Sequence, residues 1–215
     1  MLSPGTTFAT KSATLRVLSL LGKGKSGYSY LVECRAQHRV LKLMHDEPCA
    51  YYTFGDKTQS EIHAYAHLHR LGLPLPALLE FDEQREYLLK EYIAGPTAAD
   101  LIAADAVPAA IFAQLFAMAE LLRRHQLNID YFPTNFVVND SRLYYVDYEM
   151  NPYLAQWDLC NWGIYYWINT AGMKRFLETG DHLAINQQAG SGLPIKHGLQ
   201  ERAQELITTF AGRSV

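Results

Sequence analysis

An α+β fold in two parts, an antiparallel sheet followed by a helical half, is what this sequence predicts. Three observations carry the prediction. The first 93 residues consist mostly of short apolar runs with tight polar connections, the pattern of strands in a meander. A single clear break follows at Ala94-Gly95-Pro96, where glycine and proline interrupt regular structure. Beyond it, Ile111, Leu115, Met118 and Leu122 recur at helical spacing, so a core helix is expected there.

The elements follow in order. Leu15 to Leu21, Tyr28 to Val32 and His38 to Met44 read as three consecutive strands, the first ending at a glycine cluster. A helix is expected from Thr58 to Leu71, ended by Gly72 and Pro74. Ala77 to Phe81 and Tyr87 to Ile93 are two further strands around the charged turn Asp82 to Glu86. Past the break come helices over Ala98 to Ala104 and Ala109 to His125, then a strand pair, Phe136 to Val138 and Leu143 to Val146. The remainder reads as helix, with a loop at Gln187 to Gly198. Residues 1–93 therefore form one expected lobe and residues 94–215 the other.

The 215 residues, 49% hydrophobic and 19% charged, suffice for a real core and exclude wholesale disorder. Nineteen Lys and Arg against 22 Asp and Glu leave a net charge of −3. That balance argues against a nucleic-acid or membrane-surface partner, which calls for a basic face. Met1 to Thr14 is polar, and Ala109 to Leu122 is broken by Gln114 and Glu120. Neither a signal peptide nor a membrane span is expected. Three cysteines (Cys34, Cys49 and Cys160) without C-x-x-C spacing read as reduced thiols of a cytoplasmic protein.

Three features can carry chemistry: a glycine-rich turn, a lysine with a glutamate, and a cluster of acids and an amide. Gly22-Lys23-Gly24-Lys25-Ser26-Gly27 lies between two expected strands. Its glycines allow close approach of backbone N–H groups to a polyphosphate, or simply a tight hairpin. No helix follows, as a Rossmann unit requires, and Ser19 stands where a Walker A loop needs glycine. Lys42 is a lone cation in the apolar strand Val40-Leu41-Lys42-Leu43 and needs a partner or solvent. Glu61 shares a helix face with Ala64, Tyr65, Leu68 and Leu71, and can be that partner, the closing member of a capping box with Thr58, or both. His63 and His67 have metal-ligand spacing but sit on the opposite, solvated face.

The richest cluster is Asp130, with Asn135 five residues on, followed by a hairpin that ends at Asp147-Tyr148-Glu149. Hard oxygen donors of this kind suit Mg²⁺, and a free carboxylate can accept a proton from a hydroxyl. Asp130 and Asn135 can equally form ordinary Asx turns.

Together these residues resemble the protein-kinase-like superfamily from Gly22 to about Trp167. The resemblance implies a two-lobed fold and ATP and Mg²⁺ as cofactors. Gly22, Gly24 and Gly27 would cover the nucleotide phosphates, with Lys42 binding them while paired to Glu61. It further implies a hinge facing adenine at Glu91-Tyr92-Ile93, with Glu91 and Ile93 against the nucleotide, Asp130 as the catalytic aspartate, and Asn135 and Asp147 as Mg²⁺ ligands. Asp158 would buttress the catalytic loop. Asn128-Ile129 precedes Asp130 where protein kinases carry His-Arg, and only ten residues separate Asp147 from Asp158. The stretch from Val146 to Trp162 is similar to choline/ethanolamine and aminoglycoside phosphotransferases, a branch in which Glu149 would be a further metal ligand. About fifty residues follow Gly163, much less than those enzymes use to enclose a substrate. Lys90 falls where an apolar residue usually lies beside adenine. The expected function is phosphoryl transfer to the hydroxyl of a small molecule. The alternatives are a compact atypical serine/threonine protein kinase and a nucleotide-binding pseudokinase scaffold.

Overall fold

Alternation of apolar and polar residues becomes a six-stranded sheet in the computed structural model, which describes residues 1–45, 47 and 56–212. Its strands are β1 (Thr7–Ala9), β2 (Thr14–Lys23), β3 (Gly27–Cys34), β4 (Gln37–Met44), β5 (Leu78–Asp82) and β6 (Tyr87–Glu91). They run antiparallel in the order β1-β2-β3-β4-β6-β5. The β3–β4 connection has Arg35 at φ 49° and Ala36 at φ 63°. A two-residue turn with both positions left-handed matches the twist of the flanking strands, so the hairpin closes without glycine. One face packs into a core of Leu15, Val17, Tyr30, Val32, Leu41, Tyr87 and Leu89. The β1 strand was not expected. Three residues carry no readable period, and its place at the sheet edge comes from pairing with β2.

Helix α1 (Lys57–Arg70) buries Lys57, Thr58, Glu61, Ala64 and Leu68, a stripe at three- and four-residue spacing. His63 is exposed and His67 half-buried, in keeping with a solvated face. The chain forms two compact units, Met1–His67 with Leu75–Ile93, and Leu68–Pro74 with Ala94–Val215.

The second unit begins with α2 (Ala98–Ala103), closed by a capping box between Thr97 and Asp100. Its core helix is α3 (Ala109–Arg124), which buries Ile111, Phe112, Leu115, Phe116, Met118 and Leu122. Two-residue strands β7 (Leu127–Asn128) and β10 (Asn151–Pro152) pair with each other. Between them lies the hairpin β8 (Phe136–Asn139) and β9 (Arg142–Tyr145), turned through left-handed Asp140 and Ser141. A π-helical turn, Leu159–Gly163, runs into α4 (Ile164–Trp167), and α5 (Thr170–Thr179) and α6 (Gln200–Phe210) follow. Phe210 stacks against Phe112 and Phe116, which docks α6 on α3. The α+β fold class expected from the sequence is the one observed. Among the described residues, no helix is long and apolar enough to cross a membrane. Cys34 and Cys160 are free thiols, and Cys49 lies outside the described residues.

Candidate functional site

In the first unit, strand register decides what Lys42 meets. Lys42 on β4 lies opposite Ser29 of β3 and Leu88 of β6, while Val40 lies opposite Lys90. Side chains alternate along a strand, so Val40, Lys42, Leu88 and Lys90 share the face away from the Leu41–Leu89 core. Lys42 is 5% exposed and Lys90 is 4% exposed. A buried ammonium requires an opposite charge or hydrogen-bond acceptors, and Lys42 ion-pairs with Glu61 Oε1 on α1. The Ser26 hydroxyl donates to the same oxygen at 2.9 Å, which ties the glycine-rich turn to the pair.

The capping-box expectation for Thr58 and Glu61 is overturned. Helix α1 starts one residue earlier, and Asp56 Oδ1 accepts from the Gln59 N–H at 2.9 Å. Asp56 is therefore the cap, and Thr58 lies within the first turn. Thr58 Oγ1 and Glu61 Oε2 are buried and make no hydrogen bond among the described residues.

Of the three glycines singled out, only Gly27 is demanded by the fold. A Cβ there would come within 2.5 Å of the Leu43 carbonyl oxygen. At Gly22 no atom lies within 4 Å of an added Cβ, and at Gly24 the nearest is the Gly27 carbonyl oxygen at 3.7 Å. Gly24 N–H donates to that oxygen at 2.9 Å, which closes the turn. Glu91 ends β6 and holds Ala77 twice, donating its N–H to the Ala77 carbonyl and accepting the Ala77 N–H at Oε2. Ile93 is half-buried.

In the second unit, the β7–β10 pairing sets Asn128 opposite Asn151. That pairing closes the chain from Ile129 to Met150 into one loop system. Asp130, Asn135, Asp147 and Glu149, all half-buried, lie within it. Asp130 Oδ1 accepts the Phe132 N–H at 3.0 Å, an Asx turn of the kind its sequence allows. Asn135 Nδ2 donates to the Asp130 carbonyl at 3.4 Å, and the Val146 N–H donates to the Asn135 carbonyl at 2.8 Å. Asp147 Oδ1 accepts from the Tyr148 N–H, and Glu149 Oε1 from Asn151 Nδ2.

Tyr145 reports how closely the acids gather. Burial holds its phenol well above the ordinary range, and the charges of Asp147, Asp130 and Glu149 push it further in the same direction. All three carboxylates thus act electrostatically on one buried phenol. Among the described residues, no three His, Cys, Asp or Glu side chains form a metal-holding group. Mg²⁺, however, is commonly held by one or two protein oxygens together with substrate phosphates and water. Asn135 commits its amide nitrogen to Asp130, which leaves its carbonyl oxygen as a hard donor, and Asp147 supplies a carboxylate. This donor set fits such an ion.

Among the described residues, no side-chain hydrogen bond of Asp158 reaches the loop around Asp130. Its carboxylate accepts from the Tyr153 hydroxyl at 3.0 Å and from the Asn161 N–H at 2.7 Å, capping the π-helical turn. The support comes instead from Trp167, whose indole N–H donates to the Tyr131 carbonyl at 2.8 Å. Nothing local in the sequence signals that contact, because 36 residues separate its two ends. The β7–β10 pair was missed for the related reason that two residues show no alternation.

Three solved structures of kinase domains are similar to this chain. A mutant of the Mycobacterium tuberculosis PknI kinase domain aligns at 20% identity with a TM-score of 0.46, covering 69% of this chain and 62% of that one. The unmutated PknI kinase domain aligns at 20% identity with a TM-score of 0.44, covering 69% and 63%. Vaccinia related kinase 3 aligns at 17% identity with a TM-score of 0.45, covering 71% and 53%. The chain thus spans less than two thirds of each of these structures. No protein-family model matches the chain, and no curated protein matches it in sequence.

Proposed function

We propose that this chain is an ATP- and Mg²⁺-dependent phosphotransferase that moves the γ-phosphoryl group to a hydroxyl of a small molecule. The observation that carries the reading is the buried Lys42–Glu61 ion pair beneath the glycine-rich turn. A buried pair generally adds little stability over apolar residues of the same size, so its presence favours a role in orienting the ammonium. In this reading Lys42 engages the phosphates, with the open positions Gly22 and Gly24 leaving room for them. Asp130 accepts a hydrogen bond from the acceptor hydroxyl and takes its proton as the oxygen bonds to phosphorus and the bond to the leaving ADP oxygen breaks. Asn135 and Asp147 hold Mg²⁺, with Glu149 as a further ligand. When bound, the ion neutralises charge on the phosphates. Glu91 and Ile93 border the nucleobase.

The length and use of residues 148–157 favour a small acceptor. Asn151–Pro152 form β10 and Ala155–Trp157 a 3-10 turn, which leaves no extended stretch along which a peptide would lie. A thermal melt with a non-hydrolysable ATP analogue tests the reading. Ligand at a hundredfold its dissociation constant contributes about 2.7 kcal/mol, and so raises Tm by roughly 5–10 °C for a chain of this size. Asp147→Asn loses the Mg²⁺-dependent part of that rise, whereas Asp130→Asn keeps most of it. No rise at millimolar nucleotide, with or without Mg²⁺, would sink the reading. ADP release with metabolite hydroxyls, run beside labelled ATP with lysate protein, then separates a small-molecule acceptor from a protein one. Nucleotide binding with no transfer in either assay identifies a pseudokinase.

A further inference from the structure

The loop carrying Asp130 and the turn carrying Asp147 and Glu149 need fixed relative positions, yet Asp158 holds neither. Three aromatic residues lie between the two segments. The Phe136 ring sits 5.2 Å from Tyr145 and 5.3 Å from Trp167, centroid to centroid. All three residues are at most 1% exposed. Each outer ring directs its polar atom at the backbone of one acidic segment. Trp167 Nε1 donates to the carbonyl of Tyr131, the residue after Asp130, at 2.8 Å. The Tyr145 hydroxyl donates to the Glu149 carbonyl at 3.0 Å.

We infer that Trp167 and Tyr145, packed on either side of Phe136, are positioning residues that hold the Asp130 loop and the Asp147–Glu149 turn in one rigid frame. The inference rests on the phosphotransferase reading for its catalytic meaning, though not for its geometry. Gly163 presses on the Asp130 loop from the π-helical turn. A Cβ there would come within 2.5 Å of Tyr131 Cβ, so only glycine admits this approach. Indole has one donor and no acceptor, and its loss would leave a buried carbonyl unmet. Asp158 supports the arrangement at one remove, by capping the turn that leads into the Trp167 helix.

An apolar core would need these rings but not their polar tips. Trp167→Phe and Tyr145→Phe keep an aromatic ring and delete the polar atom, while Ile111→Val trims the core of α3 as a stability control. Each of these two aromatic variants is expected to lower kcat roughly tenfold, the worth of one buried hydrogen bond left half-made, with KM for nucleotide unchanged. Ile111→Val keeps kcat. Hydrogen exchange provides a readout that needs no activity. In Trp167→Phe, the amides of residues 130–132, 134 and 135 exchange about tenfold faster while those of α3 keep their protection. Unchanged protection at these amides, or acceleration spread evenly through the unit, would overturn the proposed frame. A kcat loss reproduced by Ile111→Val, or a loss appearing only in KM, would also overturn it. If the wild-type chain transfers no phosphoryl group, the phosphotransferase reading fails and the exchange result alone decides whether the frame exists.

Discussion

The two units hold their candidate functional residues on opposite principles. In the first unit, opposite charges meet directly, Lys42 from a strand and Glu61 from a helix, with side-chain exposures of 6% and 9%. In the second, half-buried carboxylates are tied to nearby backbone N–H groups, as Asp130 is to Phe132 and Asp147 to Tyr148. Longer-range order there comes from buried aromatic side chains. The contrast separates structural from chemical consequences. Removing one partner of a buried ion pair strands the other charge, so the fold itself suffers. Neutralising a half-exposed carboxylate leaves its local turn able to form, so the loss falls on the chemistry.

The largest expected effect tests the second unit. Asp130→Asn preserves an oxygen for the Phe132 N–H but cannot accept a proton. Turnover should fall by roughly 10²–10⁴-fold, the usual range for a positioned acid–base group, with Tm close to wild type. Near-normal turnover would reduce Asp130 to a turn residue.

The first unit is tested by a double-variant cycle. Lys42→Met should destabilise the chain by about 3–5 kcal/mol, because Glu61 remains buried without its cation. Lys42→Met with Glu61→Leu should recover most of that loss, while nucleotide engagement stays impaired. Urea unfolding of the three variants measures the coupling. Strictly additive losses would mean that the two side chains do not stabilise each other.

A smaller effect sharpens the same comparison at a carboxylate outside the site. Burial pushes the Glu80 carboxyl up, but hydrogen bonds from Ser12, Tyr87, the Lys11 N–H and Thr10 outweigh it and leave the group below its usual range. The same contact, added to burial, raises the Tyr87 phenol to about 12. A carboxyl whose folded pKa is depressed contributes stability above its unfolded value of about 4.3, and loses it as pH falls through the folded value. Wild-type stability should therefore decline on acidification below that point, and Glu80→Gln should decline less. Equal slopes in urea melts between pH 5 and pH 3 would show that Glu80 is not the group responsible.

Much of this molecule is legible in the chain itself, because its signals are local. Alternation placed β2, β3, β4 and β6, and helical spacing placed α1 and α3 to within a residue or two. The pairs Arg35-Ala36 and Asp140-Ser141 sit in the left-handed turns that join their strands. The apolar face of α1 pointed Glu61 inward, and the Asx turn that Asp130 makes is the one its loop sequence allows. Tertiary structure decided what local pattern leaves open. Whether Glu61 capped its helix or met Lys42 depended on packing between a strand and a helix, and Asp56 took the cap. Whether Asp158 or Trp167 braced the Asp130 loop depended on contacts across dozens of residues. The two-residue strands that close the loop around the acids have no period to read. Local propensity acts through neighbours in the chain, whereas a buried charge or an indole N–H finds its partner only once distant segments have packed.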